Sequence, residues 1–183
     1  MRRCLYKFIY YKILGWKLAG NITFSKDTVK RAVIIAAPHT SWHDFYIGVL
    51  LRGIIGVKSN FVAKKELFKW PFGYYFKAIG GAPLDRRPGQ DKVEAIAKLF
   101  ENREEFRLAL SPEGTRKKVN QWKTGFYYIA KKANVPIIMF TFDFGNKQNK
   151  ISEPFYPTDN LEADFEYMHS FFKGVKGKVS TNS

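Results

Sequence analysis

Cysteine is nearly missing from this chain: 183 residues contain one, Cys4. A single thiol excludes an internal disulfide and leaves a cysteine-based zinc site short of ligands. Histidine is scarce as well, with three in all, and acidic residues are few, 16 against 31 Lys+Arg. Long apolar runs are lacking. Lys7, Lys12 and Lys17 interrupt the apolar N-terminus, so no stretch there reaches the ~20 residues of a spanning helix. The same lysines break any signal-peptide core. Position 2 is Arg rather than Gly, and Cys4 has no lipobox upstream, so no lipidation signal is present. The mean hydropathy of -0.30 excludes a multi-span membrane protein. No G-x-x-x-x-G-K-[ST], G-x-G-x-x-G or G-x-S-x-G occurs, so a nucleotide P-loop, a Rossmann cofactor site and a nucleophile elbow are not indicated. No repeat, low-complexity tract or long linker divides the chain.

What is present is a chain 45% hydrophobic and 17% aromatic, enough for one well-filled core. Its formal net charge of +15 asks for an acidic partner: nucleic acid, an anionic lipid surface or a phosphorylated substrate. The charge is concentrated early, with eight Lys/Arg against one Asp in residues 1–31. Leu5, Phe8, Ile9, Ile13 and Trp16 fall on one face of a helix with basic flanks. Such a helix lies in a bilayer interface or packs on its own domain; both readings stand. The division expected is a basic, amphipathic, membrane-associating segment over residues 1–30 and one compact domain over residues 31–183.

Along that domain, Arg31–Ala37 reads as a buried strand ending at Pro38, and Asp44–Ile55, apolar all round, as a buried helix. Residues 60–63 suggest a second strand, and an apolar helical stretch opens at Trp70 and ends at Gly80-Gly81. The clearest amphipathic helix runs from Asp91 to Glu105. A strand over Phe106–Leu110, a polar loop, a helix over Trp122–Ala133 and a β-rich run over Val135–Phe144 follow. Thr158-Asp159-Asn160 caps a last helix carrying Leu161, Phe165, Met168 and Phe172. Strands alternating with helices predict an α/β fold: a mostly parallel central sheet flanked by helices, preceded by the amphipathic N-terminal helix. In such sheets, sites gather beyond the strand C-termini.

Two loops there carry unusual chemistry. In Pro38-His39-Thr40-Ser41-Trp42-His43-Asp44, a strand–helix turn lets His39 and Asp44 meet. Asp44 would fix the imidazole tautomer, and the other ring nitrogen would take a proton from a hydroxyl. Two other readings compete: a metal site using His39 and His43, and Asp44 as a plain helix N-terminal carboxylate. In Leu110-Ser111-Pro112-Glu113-Gly114-Thr115-Arg116-Lys117-Lys118, a glycine turn followed by a hydroxyl and three cations suits a phosphate, or is a solvated polar loop. Glu113 would pair with an arginine or accept a hydrogen bond from substrate. Arg86, in Pro83-Leu84-Asp85-Arg86-Arg87, is a further phosphate candidate or part of a surface turn. Lys64 and Lys65 follow a strand as a charge cluster.

Taken together and in this order, these blocks resemble the glycerolipid acyltransferase family, and specifically its 1-acylglycerol-3-phosphate acyltransferases. The pieces are H-x-x-x-x-D at His39 to Asp44, K-x-E-L at Lys64 to Leu67 with Asp85-Arg86, P-E-G-T-R at Pro112 to Arg116 with Lys123-Thr124-Gly125-Phe126, and V-P-I at Val135 to Ile137. The resemblance implies that His39 is general base on a lipid hydroxyl, with Asp44 its partner. It implies direct attack on the thioester of acyl-CoA or an acyl carrier protein, without an acyl-enzyme, a metal or a bound cofactor. Glu113, Gly114, Thr115 and Arg116, with Arg86 and Lys64, would hold the acceptor's phosphate or head group. Phe45, Leu50, Phe72, Tyr74 and Tyr75 are candidate walls of an acyl slot, or plain core. The sequence departs from the family pattern at Pro38 (often Asn), Ser111 (usually Phe) and Met139 (a second Pro). Lysophosphatidic acid is the default acceptor; a lyso amino-lipid or another lyso-phospholipid is the alternative. The implied protein sits peripherally on the cytoplasmic side of an anionic membrane and binds no nucleic acid. A basic binding module for anionic lipid or nucleic acid, and a metal-dependent hydrolase using His39, His43 and Asp44, are the alternatives of other classes.

Overall fold

The computed structural model describes residues 2–21, 29–70, 73–84 and 91–179. Its centre is β2 (Arg31–Ala37), whose run of small and β-branched residues has no polar side chain beyond Arg31. Such a strand is stable only when covered on both faces. It pairs in parallel with β5 (Phe106–Leu110) on one side and β6 (Ile137–Thr141) on the other. Beyond β6 lie β7 (Gln148–Ile151), antiparallel to it, and β1 (Lys17–Gly20), parallel to β7, in the order β1-β7-β6-β2-β5. β3 (Phe61–Lys64) and β4 (Gly81–Leu84) form a parallel pair, joined to β5 by a bridge between Asn60 and Leu108. The mostly parallel sheet and flanking helices expected from the alternation are what the chain adopts.

Alternate strand residues feed two apolar cores, as the two-residue period of a strand requires. Val33, Ile35, Leu108, Ile137 and Met139 point to the face covered by α4 (Lys92–Glu101), α5 (Gly125–Ala133) and α6 (Leu161–Phe172). Ala32, Ile34, Ile138 and Phe140 point to the face covered by α2 (His43–Ile55) and the N-terminal helix. Asp91 opens α4 by accepting from Val93 N at 2.8 Å and Glu94 N at 3.3 Å. Asn160 opens α6 by accepting from Ala163 N at 3.1 Å.

Several elements differ from the periodicity. The N-terminal helix is α1 (Arg2–Lys7) continued by a π-helical segment, Phe8–Ile13. Tyr6, Tyr10 and Leu14 point inward; of the expected stripe Trp16, just past the helix, is buried with them, while Leu5, Phe8 and Ile13 face solvent. The strands β1 and β7 were not legible: Lys-Leu-Ala-Gly and Gln-Asn-Lys-Ile are four-residue segments, the outermost strand and its neighbour, too short and too polar to show a pattern. The helix after Trp70 shortens to α3 (Gly73–Ala78). Neither it nor α2 is buried all round. Phe45 on α2 is 60% exposed, and Tyr74 and Tyr75 on α3 are 79% and 59% exposed, so these aromatics are not core. Phe72 lies outside the described residues. Among the described residues, no helix is long and apolar enough to cross a membrane.

Candidate active site

The register pairs Ile35 of β2 with Leu110 of β5, so the loops leaving these parallel strands lie side by side at one edge of the sheet. The first holds Pro38 to Trp42 and runs into α2; the second holds Ser111 to Lys118. Asp44 lies in the first turn of α2 and is 1% exposed. Its Oδ2 is 2.9 Å from His39 Nδ1 and accepts the Ser41 backbone N–H at 3.0 Å. With the proton of the imidazole on Nδ1, facing the buried carboxylate, Nε2 carries a lone pair. Nε2 points to the open side of the loop, where Arg116 Nε approaches to 3.5 Å. The His–Asp encounter expected from a five-residue spacing is therefore present; Asp44 also stands in the first turn of α2, where its carboxylate takes the Ser41 N–H ahead of the helix and caps no helical N–H.

Glu113 has a different neighbour from those expected. Its Oε2 accepts the backbone N–H of His39 at 2.9 Å. It is a buried carboxylate braced against the histidine's main chain rather than one turned to an arginine. Burial pushes the Glu113 carboxyl above its ordinary range; the Asp44 charge adds to this, while the His39 N–H and the His39 ring pull the other way.

Gly114 adopts φ +66, where an L side chain is strained, and its N–H donates to Ser111 O at 3.2 Å. A Cβ there would lie 2.8 Å from Lys123 Nζ, so the lysine stem runs across the turn. Lys123 N–H also donates to Pro112 O at 2.9 Å, pinning the base of α5 to the loop. Thr115 Oγ1 accepts Lys117 N–H at 3.3 Å. Arg116, Lys117, Lys118 and Lys123 are all exposed at this edge. Glu113, Gly114, Thr115 and Arg116 are thus brought beside His39 and Asp44. Arg86 and the Lys64 side chain lie outside the described residues, with Lys64 closing β3.

Sequence reasoning left Lys123 without a role, although the K-T-G-F tetrapeptide marked it. It also missed Thr40, whose hydroxyl accepts Val179 N–H at 3.2 Å across 139 positions. The metal reading finds little to build on. His43 Nδ1 turns to Ser41 Oγ at 2.7 Å, and His169 stacks on Trp122 at 4.3 Å between ring centroids. Among the described residues, no three His, Cys, Asp or Glu side chains gather as a metal site would need.

Comparison with known proteins bears on this arrangement. Residues 21–142 match the sequence profile of a family described as Acyltransferase. No curated protein sequence matches. Among solved structures, the fold resembles the crystal structure of the 1-acyl-sn-glycerophosphate (LPA) acyltransferase, PlsC, from Thermotoga maritima. The TM-score is 0.56 and the identity 22%, over 92% of this chain and 74% of that one.

Proposed function

This chain belongs to the acyltransferase family, and from that premise we propose that it moves a fatty acyl group from a thioester donor to the free hydroxyl of a lyso-phospholipid. Lysophosphatidic acid is the first candidate acceptor, and acyl-CoA or an acyl carrier protein the donor. The resembling Thermotoga maritima protein is named for that acceptor, which supports the choice. A lyso amino-lipid or another lyso-phospholipid is the alternative.

The observation that carries the reading is the His39 imidazole, held through Nδ1 by a buried carboxylate with Nε2 facing the cationic loop. The acceptor hydroxyl donates its proton to Nε2 as its oxygen bonds to the thioester carbonyl carbon. Asp44 stabilises the imidazolium so formed. The tetrahedral intermediate then expels the thiolate, the C–S bond breaks, and the proton on Nε2 passes to sulfur. A thioester is already activated, so deprotonation, alignment and charge stabilisation suffice. No bound cofactor or metal enters this scheme. Arg116, Lys117 and Lys118, with Arg86 and Lys64 as further candidates, take the acceptor phosphate; guanidinium and ammonium donors at a glycine turn suit its oxygens.

The acceptor is a lipid, and the surface beside the site suits a bilayer. The N-terminal helix packs on α2, where Arg3 Nε donates to Ile54 O at 2.7 Å; α2 is tied to the segment after α3 by Arg52 Nη1 to Ile79 O at 3.0 Å. Across these neighbours Leu5, Phe8, Ile13, Trp42, Phe45, Val49, Trp70, Tyr74 and Tyr75 are exposed, with Trp70 at 83%. Aromatic and aliphatic side chains among lysines are the composition of an interfacial surface. We assign the basic excess to an anionic membrane at its cytoplasmic face and not to nucleic acid.

The test is turnover of a panel of lyso-lipids with one acyl donor, read by mass spectrometry, in wild type and His39→Ala. Wild type should acylate lysophosphatidic acid, and loss of the general base should lower kcat about 10²- to 10⁴-fold. Unchanged turnover in His39→Ala would overturn the mechanism, and acylation of another lyso-lipid alone would reassign the acceptor.

A further inference from the structure

The turn that carries His39 is held on three sides by groups close to it in the fold. Glu113 takes the His39 N–H, and Asp44 takes both the His39 ring and the Ser41 N–H. Thr40, between them and only 4% exposed, accepts a hydrogen bond from the segment after α6. That segment leaves α6 through Gly174 at φ +81 and reaches the turn after β6. Lys176 O accepts Phe144 N–H at 2.8 Å, and Lys176 N–H approaches Asp143 Oδ1 at 3.5 Å. Asp143 is itself braced by Asn146, whose N and Nδ2 donate to it at 3.1 and 2.8 Å. Gly145 lies close against the segment: a Cβ there would stand 3.2 Å from Lys176 Cβ. Gly177 is buried, and Val179 N–H reaches the Thr40 hydroxyl. Phe142 N–H donates to Ala37 O at 3.0 Å, which closes the circuit from the end of β2 through the turn after β6 and the strap back to Thr40.

We propose that residues 174–179 form a positioning strap for the catalytic turn, with Thr40 the positioning residue through which it acts on His39. Thr40 touches no reacting atom in this scheme. Its bond to the strap adds a third tether to those of Asp44 and Glu113, so that Nε2 is presented at a fixed angle to the acceptor hydroxyl. Misplacement of a base by about 1 Å can cost as much as 10²-fold in rate, so a single tether of this kind has a measurable effect. The inference rests on the acyltransferase reading for its kinetic form, but its geometric form does not need turnover.

Two variants break the bond from opposite ends. Thr40→Val removes the acceptor at nearly constant volume, and Val179→Pro removes the N–H. Each should lower kcat about 10-fold with KM unchanged, and the double variant should lose no more than either alone. Thr40→Ser and Val179→Ala keep the bond and should stay within about 2-fold of wild type. The imidazole resonances of His39 should shift in Thr40→Val and Val179→Pro and not in the conservative pair, with unchanged melting temperature throughout. Additive losses, a change confined to KM, or unshifted resonances with full turnover would overturn the strap. A wild type that transfers no acyl group would overturn the proposed function instead, while the resonances would still decide the strap.

Discussion

Glu113 illustrates how one residue carries both a structural and an electrostatic role. Its carboxyl is buried, accepts the His39 N–H and lies near the Asp44 charge. Because the folded state raises its pKa, folding favours the protonated form. Stability from this group is full below the ordinary carboxylate pKa and is lost as pH rises through the raised value; above that the loss is constant. Glu113→Gln keeps an acceptor for the N–H and cannot ionise, so its stability should lack this decline. The difference in urea midpoint between wild type and Glu113→Gln, followed from about pH 4 to pH 7, should move against wild type as pH rises. Parallel curves would refute it. His39 and Asp44 were legible in sequence because five residues across a strand–helix turn are a local distance. The His39 to Glu113 bond spans 74 positions, and no local pattern points to it.

At the scale of elements, the N-terminal helix shows how packing overrides an expected face. Leu14 N–H donates to Ile9 O at 2.9 Å, an i to i+5 bond that widens the turn. With Tyr6 against Gly53 and Tyr10 donating to Asn149 Oδ1 at 2.6 Å, the inward stripe is aromatic and partly polar. Leu5, Phe8 and Ile13 are left outward and exposed. Burying one such side chain is worth about 1.5 to 3 kcal/mol, so Phe8→Asp combined with Ile13→Asp should weaken partition onto anionic vesicles at least about 10-fold. Because both residues are exposed, thermal stability should hold. Vesicle sedimentation that matches wild type would remove this helix from the membrane contact. The strong helices α4 and α6 were readable from period and caps, whereas α3 was overextended. A six-residue helix has too few turns for period to decide its ends.

For the whole molecule, charge and apolar surface act together. The net charge of +15 includes the exposed lysines of the N-terminal helix and the exposed cations of the Ser111 to Lys118 loop, of which Arg116 reaches His39. Each Lys or Arg near an anionic surface contributes about 1 kcal/mol, falling off within a Debye length. Binding to anionic vesicles should therefore fall steeply with added salt, and zwitterionic vesicles should bind weakly at any salt. Salt-independent binding of equal strength to both would show that apolar contact alone holds the protein.

The sequence by itself determined the α/β class, the central strand, the family and the His39–Asp44 pair. Each rests on local period, local spacing or blocks in fixed order, all written along the chain. The tertiary structure decided what depends on contact between distant segments. It decided that the short strands β7 and β1 extend the sheet beyond β6, that Glu113 braces the His39 main chain, and that the residues after α6 return to Thr40. It also decided that Phe45, Tyr74 and Tyr75 face outward. An aromatic side chain is equally at home in a core or on a lipid-facing surface, and only the placement of its neighbours separates the two.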